Sequence, residues 1–272
     1  MFQHFIELLQ FPFMQRALVL GLALSLVSGL LGVNLQLKRY AMIGYSLSQV
    51  SFCALALALA LELSPLPFSI PMVCLAAFGL LSLRKAAQWS DGLMAIVATS
   101  ALALGVSIIA ASRGMTTDVC NFMFGSILAI PPEDFVPSLV LLALILAIYL
   151  LYYRRFFAFT YDEDYARASG HPVAVYTMLQ ALLLSLLIVL GMRMMGSLLI
   201  TALLVFPVLS GQGLCRSFRG LSVFAAIYSL LAFACGLFVS SLLNLPAGAA
   251  VALVQLFFFG FCLLLGRLLH RG

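Results

Sequence analysis

The sequence predicts an all-α integral membrane protein, a polytopic helix bundle of about nine transmembrane helices with one short re-entrant half-helix. Three observations predict it. Of the 272 residues 64% are apolar and only 8% charged, with a mean hydropathy of +1.18, whereas a soluble domain carries about 25% charge. The charges are spaced so that apolar runs of 19 to 25 residues separate them, the length that crosses a bilayer core of about 30 Å as a helix. No series of ten-residue alternating segments occurs, which excludes a β-barrel.

Taken in order, charge-free runs cover residues 17–37, 40–61, 63–83, 92–112, 135–153, 168–192 and 194–215. The following run, 220–266, is too long for one span, and Asn244-Leu245-Pro246 breaks it near its middle. Two spans there complete nine. Residues 119–132 form a run too short to cross, ending in Pro131-Pro132, and this is the re-entrant or surface half-helix. Residues 1–12 lack a basic segment and a cleavage site; Phe2, Phe5, Ile6, Leu9 and Phe13 share roughly one helical face, as in an interfacial lead-in. The whole chain, 1–272, then reads as a single transmembrane domain, its longest hydrophilic interval being 154–172.

Basic residues orient the bundle. With 154–172 in the cytoplasm, Lys38, Arg39, Arg84, Lys85, Arg154, Arg155, Arg167, Arg216, Arg219, Arg267 and Arg271 are inside, and only Arg16, Arg113 and Arg193 are outside. Eleven against three places the N-terminus outside and the C-terminus inside. The net charge of +5 is therefore a matter of topology, and no nucleic-acid partner is expected.

Polar residues at membrane depth usually face a bundle interior or a cavity, so they are the candidates for function. The second span is richest, with Tyr45, Ser48 and Gln49 at i, i+3 and i+4 on one face beside Ser46 and Ser51. Two uses are open: hydrogen-bonding glue between helices, or a substrate path. The fourth span offers Thr99, Ser100 and Ser107. The seventh offers Ser197, Thr201, Pro207 and Ser210 between glycines, the pattern of a moving part or of a packing kink. Asp118 and Glu133-Asp134 flank the half-helix as helix caps or as groups at an outer mouth.

Six cysteines lie scattered in apolar runs without CxxC pairing, and His4, His171 and His270 all lie outside the spans. A conventional buried zinc site is therefore not expected, nor is a cofactor bound by this chain. Walker A, GxSxG and HExxH patterns are absent, so any catalytic engine belongs to another chain. In the hydrophilic interval, Asp162 to Asp164 can start a short helix that Gly170 ends with Pro172 beyond, small-sided at Ala166 and Ala168. A partner protein could grip such a helix; a plain interfacial connector is the other reading.

At this loop the sequence resembles the membrane-spanning permease subunits of bacterial zinc and manganese ATP-binding cassette (ABC) importers. The resemblance runs over roughly residues 14–262 and rests on segments in the right order. They are Phe13 to Ala17; Gly29 to Gly32 with Lys38-Arg39 and Gly44 to Ser48; Asp118 to Leu128 with Pro132-Glu133-Asp134; Gly196 to Pro207; and Pro246-Ala247-Gly248. It implies a homodimeric or pseudo-dimeric permease in the bacterial cytoplasmic membrane. Such a permease receives a divalent metal from an external solute-binding protein and is driven by cytoplasmic ATP-binding subunits, with ATP held on those partners. It further implies that Asp162, Glu163, Ala166 and Gly170 belong to the loop that docks on the ATPase. Where the family typically has an Asp and a His in the second span this chain has Tyr45 and Gln49, and Thr99 stands where zinc members often have a His. The path is accordingly expected along Tyr45, Ser48, Gln49, Thr99 and Pro207, with Asp118 and Glu133 at its outer mouth and with the metal unknown. The alternatives are a secondary transporter, disfavoured by the lack of a mid-depth carboxylate, and a transport-deficient scaffold, disfavoured by the orderly loop.

Overall fold

The computed structural model describes residues 12–86, 90–112, 132–161, 172–243 and 245–269. Among them there is no strand, and the elements in order are α1 Pro12–Leu37, α2 Ala41–Ala60, α3 Pro65–Ala86, α4 Ser90–Ala111, α5 Pro132–Leu151, α6 Tyr153–Tyr161, α7 Val173–Gln212, α8 Phe218–Leu243 and α9 Ala247–Leu269. Three expectations fall outside the described residues: most of the lead-in, the half-helix up to Pro131, and the loop residues 162–171.

Seven helices are long and apolar enough to cross a membrane, and Pro65–Leu81 of α3 is a shorter apolar helix. The 40-residue α7 is two helices. Gly196 within it has φ 83° and ψ 165°, a conformation open to glycine and strained for other residues. The chain doubles back there. In a continuous helix Gly191 and Ile200 would stand about 13 Å apart, whereas a Cβ placed on Gly191 would lie 3.3 Å from Ile200 Cβ. Counting its two arms, residues 173–195 and 197–212, the described apolar segments number nine. The expected boundary at Arg193 moves to Gly196, because positive φ sets the turn while the arginine ends only the charge-free run.

The helix α1 occupies the middle, against α8, both arms of α7, α2 and α5. Its contact face is built from small residues: Gly21 meets Phe233, Gly29 meets Ser229 and the Ala225 carbonyl, and Gly32 meets the Leu204 carbonyl. Lipid tails are as apolar as the side chains, so this close backbone approach holds the bundle where hydrophobic burial cannot. Buried Ser25 and Ser28 return their hydroxyls to Leu22 and Leu24 of their own helix, which satisfies them without widening the contact.

The described basic residues gather at one end, as the count of charges anticipates. Lys38 lies over the Phe159 ring, Arg155 donates to the Tyr176 hydroxyl at 2.7 Å, and Tyr153 and Phe157 pack on Phe218. The interval expected as loop from 154 begins as α6, nine residues that bury Phe156 and Phe159 and leave Arg154 exposed. Its aromatic spacing makes it an amphipathic surface helix. At the opposite end Arg193, beside the Gly196 turn, forms an ion pair with Asp134 of α5. That contact sets the two on the same side, as the assigned topology requires.

Candidate functional site

The helices α2 and α4 run side by side and parallel. Near the cytoplasmic end the Ser46 hydroxyl reaches the Met94 carbonyl of α4 as well as the Met42 carbonyl of its own helix, both at 2.8 Å. Higher up, Gly105 lets α4 approach Phe52 and Cys53 of α2. Gln49 and Thr99 lie between these two contacts and therefore at one depth. The glue expected of this polar set is carried by Ser46, one position off the face assigned to the path.

The three residues expected on one face of α2 have different environments. Tyr45 is 42% exposed; Ser48 is fully buried and donates to the Tyr45 carbonyl at 2.8 Å. Gln49 is 6% exposed, and its Oε1 has no hydrogen-bond partner among the described residues. An unpaired amide oxygen at membrane depth costs about 1–3 kcal/mol unless something polar meets it, so Gln49 is the group here that calls for a polar visitor. On α4, Thr99 is exposed and its hydroxyl returns to the Ala95 carbonyl at 2.9 Å, leaving the oxygen lone pairs outward. With Ala103, Ser107 and Ala111 it forms an exposed row of small residues four apart.

Pro207 is buried in the second arm of α7. It cannot donate to the Leu203 carbonyl, which loosens that arm one turn below the contact of Leu204 with Gly44 of α2. Since this arm is antiparallel to α2, Pro207 lies nearer the cytoplasm than Gln49, and half-exposed Thr201 comes closer to the depth of Gln49. Near the cytoplasmic end α2, α4 and α7 share an open cleft that includes Met42, Asp91, Leu209 and Gln212. Asp91, in the first turn of α4, was not singled out by the charge spacing, which reads it only as the end of a run.

Glu133 falls in the first turn of α5, and Asp118, Asp162, Glu163, Ala166 and Gly170 lie outside the described residues. Among the described residues no group of three His, Cys, Asp or Glu side chains is placed to hold a metal ion. The oxygens and amides of the α2–α4 face can therefore offer a cation weak, hydrated contacts and no thiolate or imidazole cage.

Fold and site together define a multi-pass helical membrane protein with a polar face on an otherwise apolar bundle. The profile of the ABC 3 transport family matches residues 10–266, and the chain belongs to that family. It is 28% identical to the high-affinity zinc uptake system membrane protein ZnuB of Haemophilus influenzae, over 89% of this chain and 94% of the relative. It is likewise 28% identical to the manganese transport system membrane protein MntC of Halalkalibacterium halodurans, over 92% and 86%. Among solved structures it is similar to PsaBC from Streptococcus pneumoniae in complex with Fab, with a TM-score of 0.87, 28% identity and coverage of 96% and 95%.

Proposed function

We propose that this chain is the membrane-spanning permease of an ATP-driven importer for a divalent metal ion, zinc or manganese, in the bacterial cytoplasmic membrane. The observation that carries this reading is full-length similarity, in sequence and fold, to proteins named for zinc and manganese transport. Two permease copies, or this chain and a close relative, form the pore. An external solute-binding protein delivers the ion, and cytoplasmic ATP-binding subunits bind and hydrolyse ATP. The cargo passes along the face carrying Tyr45, Gln49 and Thr99, with Ser48 as support, Pro207 as the yielding point below, and Asp118 and Glu133 at the outer mouth. Neutral oxygen ligands bind a divalent ion weakly, which suits passage because an ion must leave as readily as it enters. Selectivity then rests with the binding protein.

Residues 162–171 dock on the ATPase, supported by the way α6 and the start of α7 are clamped through Arg155 and Tyr176 on either side of them. The reading is tested by deleting the gene and following uptake of radiolabelled zinc and manganese. Uptake of one metal should fall and return with the intact gene; unchanged uptake of both would contradict it.

A further inference from the structure

At the cytoplasmic end of the bundle a cleft of about 400 Å³ opens between the end of α1, the starts of α2 and α4 and the end of α7. We infer that this cleft holds the phosphoethanolamine headgroup of a phospholipid from the cytoplasmic leaflet. The inference stands apart from the transport reading and concerns a different ligand.

The most buried wall supplies hydrogen-bond donors. Gln36 is 8% exposed, and its Nε2 finds no acceptor among the described residues. Beside it begins α2, whose N-cap residue Tyr40 makes no side-chain capping bond, so the first-turn N–H groups at Ala41 and Met42 receive no cap from it. A helix start of this kind favours an anion. Arg39 lines the same wall and adds positive charge. A buried amide donor, an uncapped helix start and a guanidinium together match a phosphate and disfavour a metal cation.

The opposite rim is acidic: Asp91, exposed on the first turn of α4, is the carboxylate of the cleft. It can accept from a primary ammonium a few bonds from the phosphate. Leu37, Met42 and Leu209 are 36–40% exposed around the opening, an apolar collar suited to the glycerol ester and first acyl carbons. The volume equals roughly a dozen waters at about 30 Å³ each, room enough for such a headgroup. The cleft also lies at the end where Lys38, Arg39 and Arg155 gather, the depth of the inner-leaflet headgroups.

The test is native mass spectrometry of the intact chain exchanged into mixed micelles with equimolar phosphatidylethanolamine and phosphatidylcholine. The unmodified protein should retain one phosphatidylethanolamine in preference to phosphatidylcholine, whose quaternary ammonium has no N–H for Asp91. Gln36→Leu, which removes the unpaired donor, should lower retention of both lipids about tenfold. Asp91→Asn should keep phospholipid bound while losing the preference. Equal retention of the two lipids by the unmodified protein, a measurement that needs no variant, would overturn the inference. So would inorganic phosphate displacing the lipid completely, since free phosphate would then be the ligand.

Discussion

Gln49 shows at a single residue what the chemistry of this bundle is built to do. Its side chain is almost entirely buried, yet Oε1 is left without a partner, while Ser46 three positions away is fully engaged with α4. If the α2 face is a cargo path, Gln49→His places an imidazole where a passing ion can meet it. Zinc affinity of the purified permease should then rise at least tenfold by isothermal titration, whereas a pure packing role would leave it unchanged. Spacing in the sequence was enough to find this residue but could not divide Tyr45, Ser48 and Gln49 into exposed, self-bonded and unpaired groups. That division depends on which neighbour comes close, and helical periodicity does not contain it.

A second residue-scale expectation concerns Cys215, in the turn between α7 and α8. Partial burial pushes its thiol up from the ordinary value, so less thiolate is present near neutral pH, and the thiolate is the reactive form. With the other five cysteines replaced, maleimide labelling of Cys215 should be slower than that of a free thiol and should accelerate as pH rises beyond 9. Labelling as fast as a free thiol at pH 7 would contradict it.

The central element, α1, depends on glycines whose importance composition alone does not reveal. Gly32 faces a backbone carbonyl, that of Leu204, which cannot rotate away as a flexible side chain could. Gly32→Ala should therefore destabilise the bundle by about 1–3 kcal/mol, seen as a lowered thermal transition in detergent. Gly260→Ala, where nothing lies within 4 Å, should leave that transition in place. Equal effects of the two would mean that α1 does not pack as described. The spans themselves were legible because charge spacing reports on the membrane, which acts on every helix alike. The fold-back of α7 was legible only as a break near Arg193, since Gly196 looks from sequence like any other small residue and is distinguished only by its positive φ. The helix α6 was hidden for another reason: Phe156 and Phe159 are spaced to bury one face, but only α1, α5 and α8 beneath them make that burial worthwhile.

At the scale of the whole molecule, the peripheral helices leave much apolar surface outward. Phe257, Phe261 and Leu264 of α9 are all more than 60% exposed, as expected of a surface solvated by lipid. The polar face on α2 and α4 is the exception to that pattern. Coupling to an ATPase is the other property of the whole assembly. Ala166→Trp should leave the permease inserted while reducing both metal uptake and co-purification of the ATPase; normal values of both would remove residues 162–171 from that role. The resemblance carried this function because the family's segments occur in order along the chain. The cargo's identity stayed illegible because Tyr45, Gln49 and Thr99 replace the side chains that distinguish one metal from another.

The central claim, that metal crosses along the α2–α4 face, is tested most directly by blocking it. In a cysteine-free background, ATP-driven metal uptake by membrane vesicles is measured before and after a charged methanethiosulfonate reagent is added to Thr99→Cys, with Phe257→Cys on the outward face of α9 as reference. The account predicts that uptake stops on modification at position 99 and continues at position 257. Uptake that continues unchanged with position 99 fully modified would place the path elsewhere.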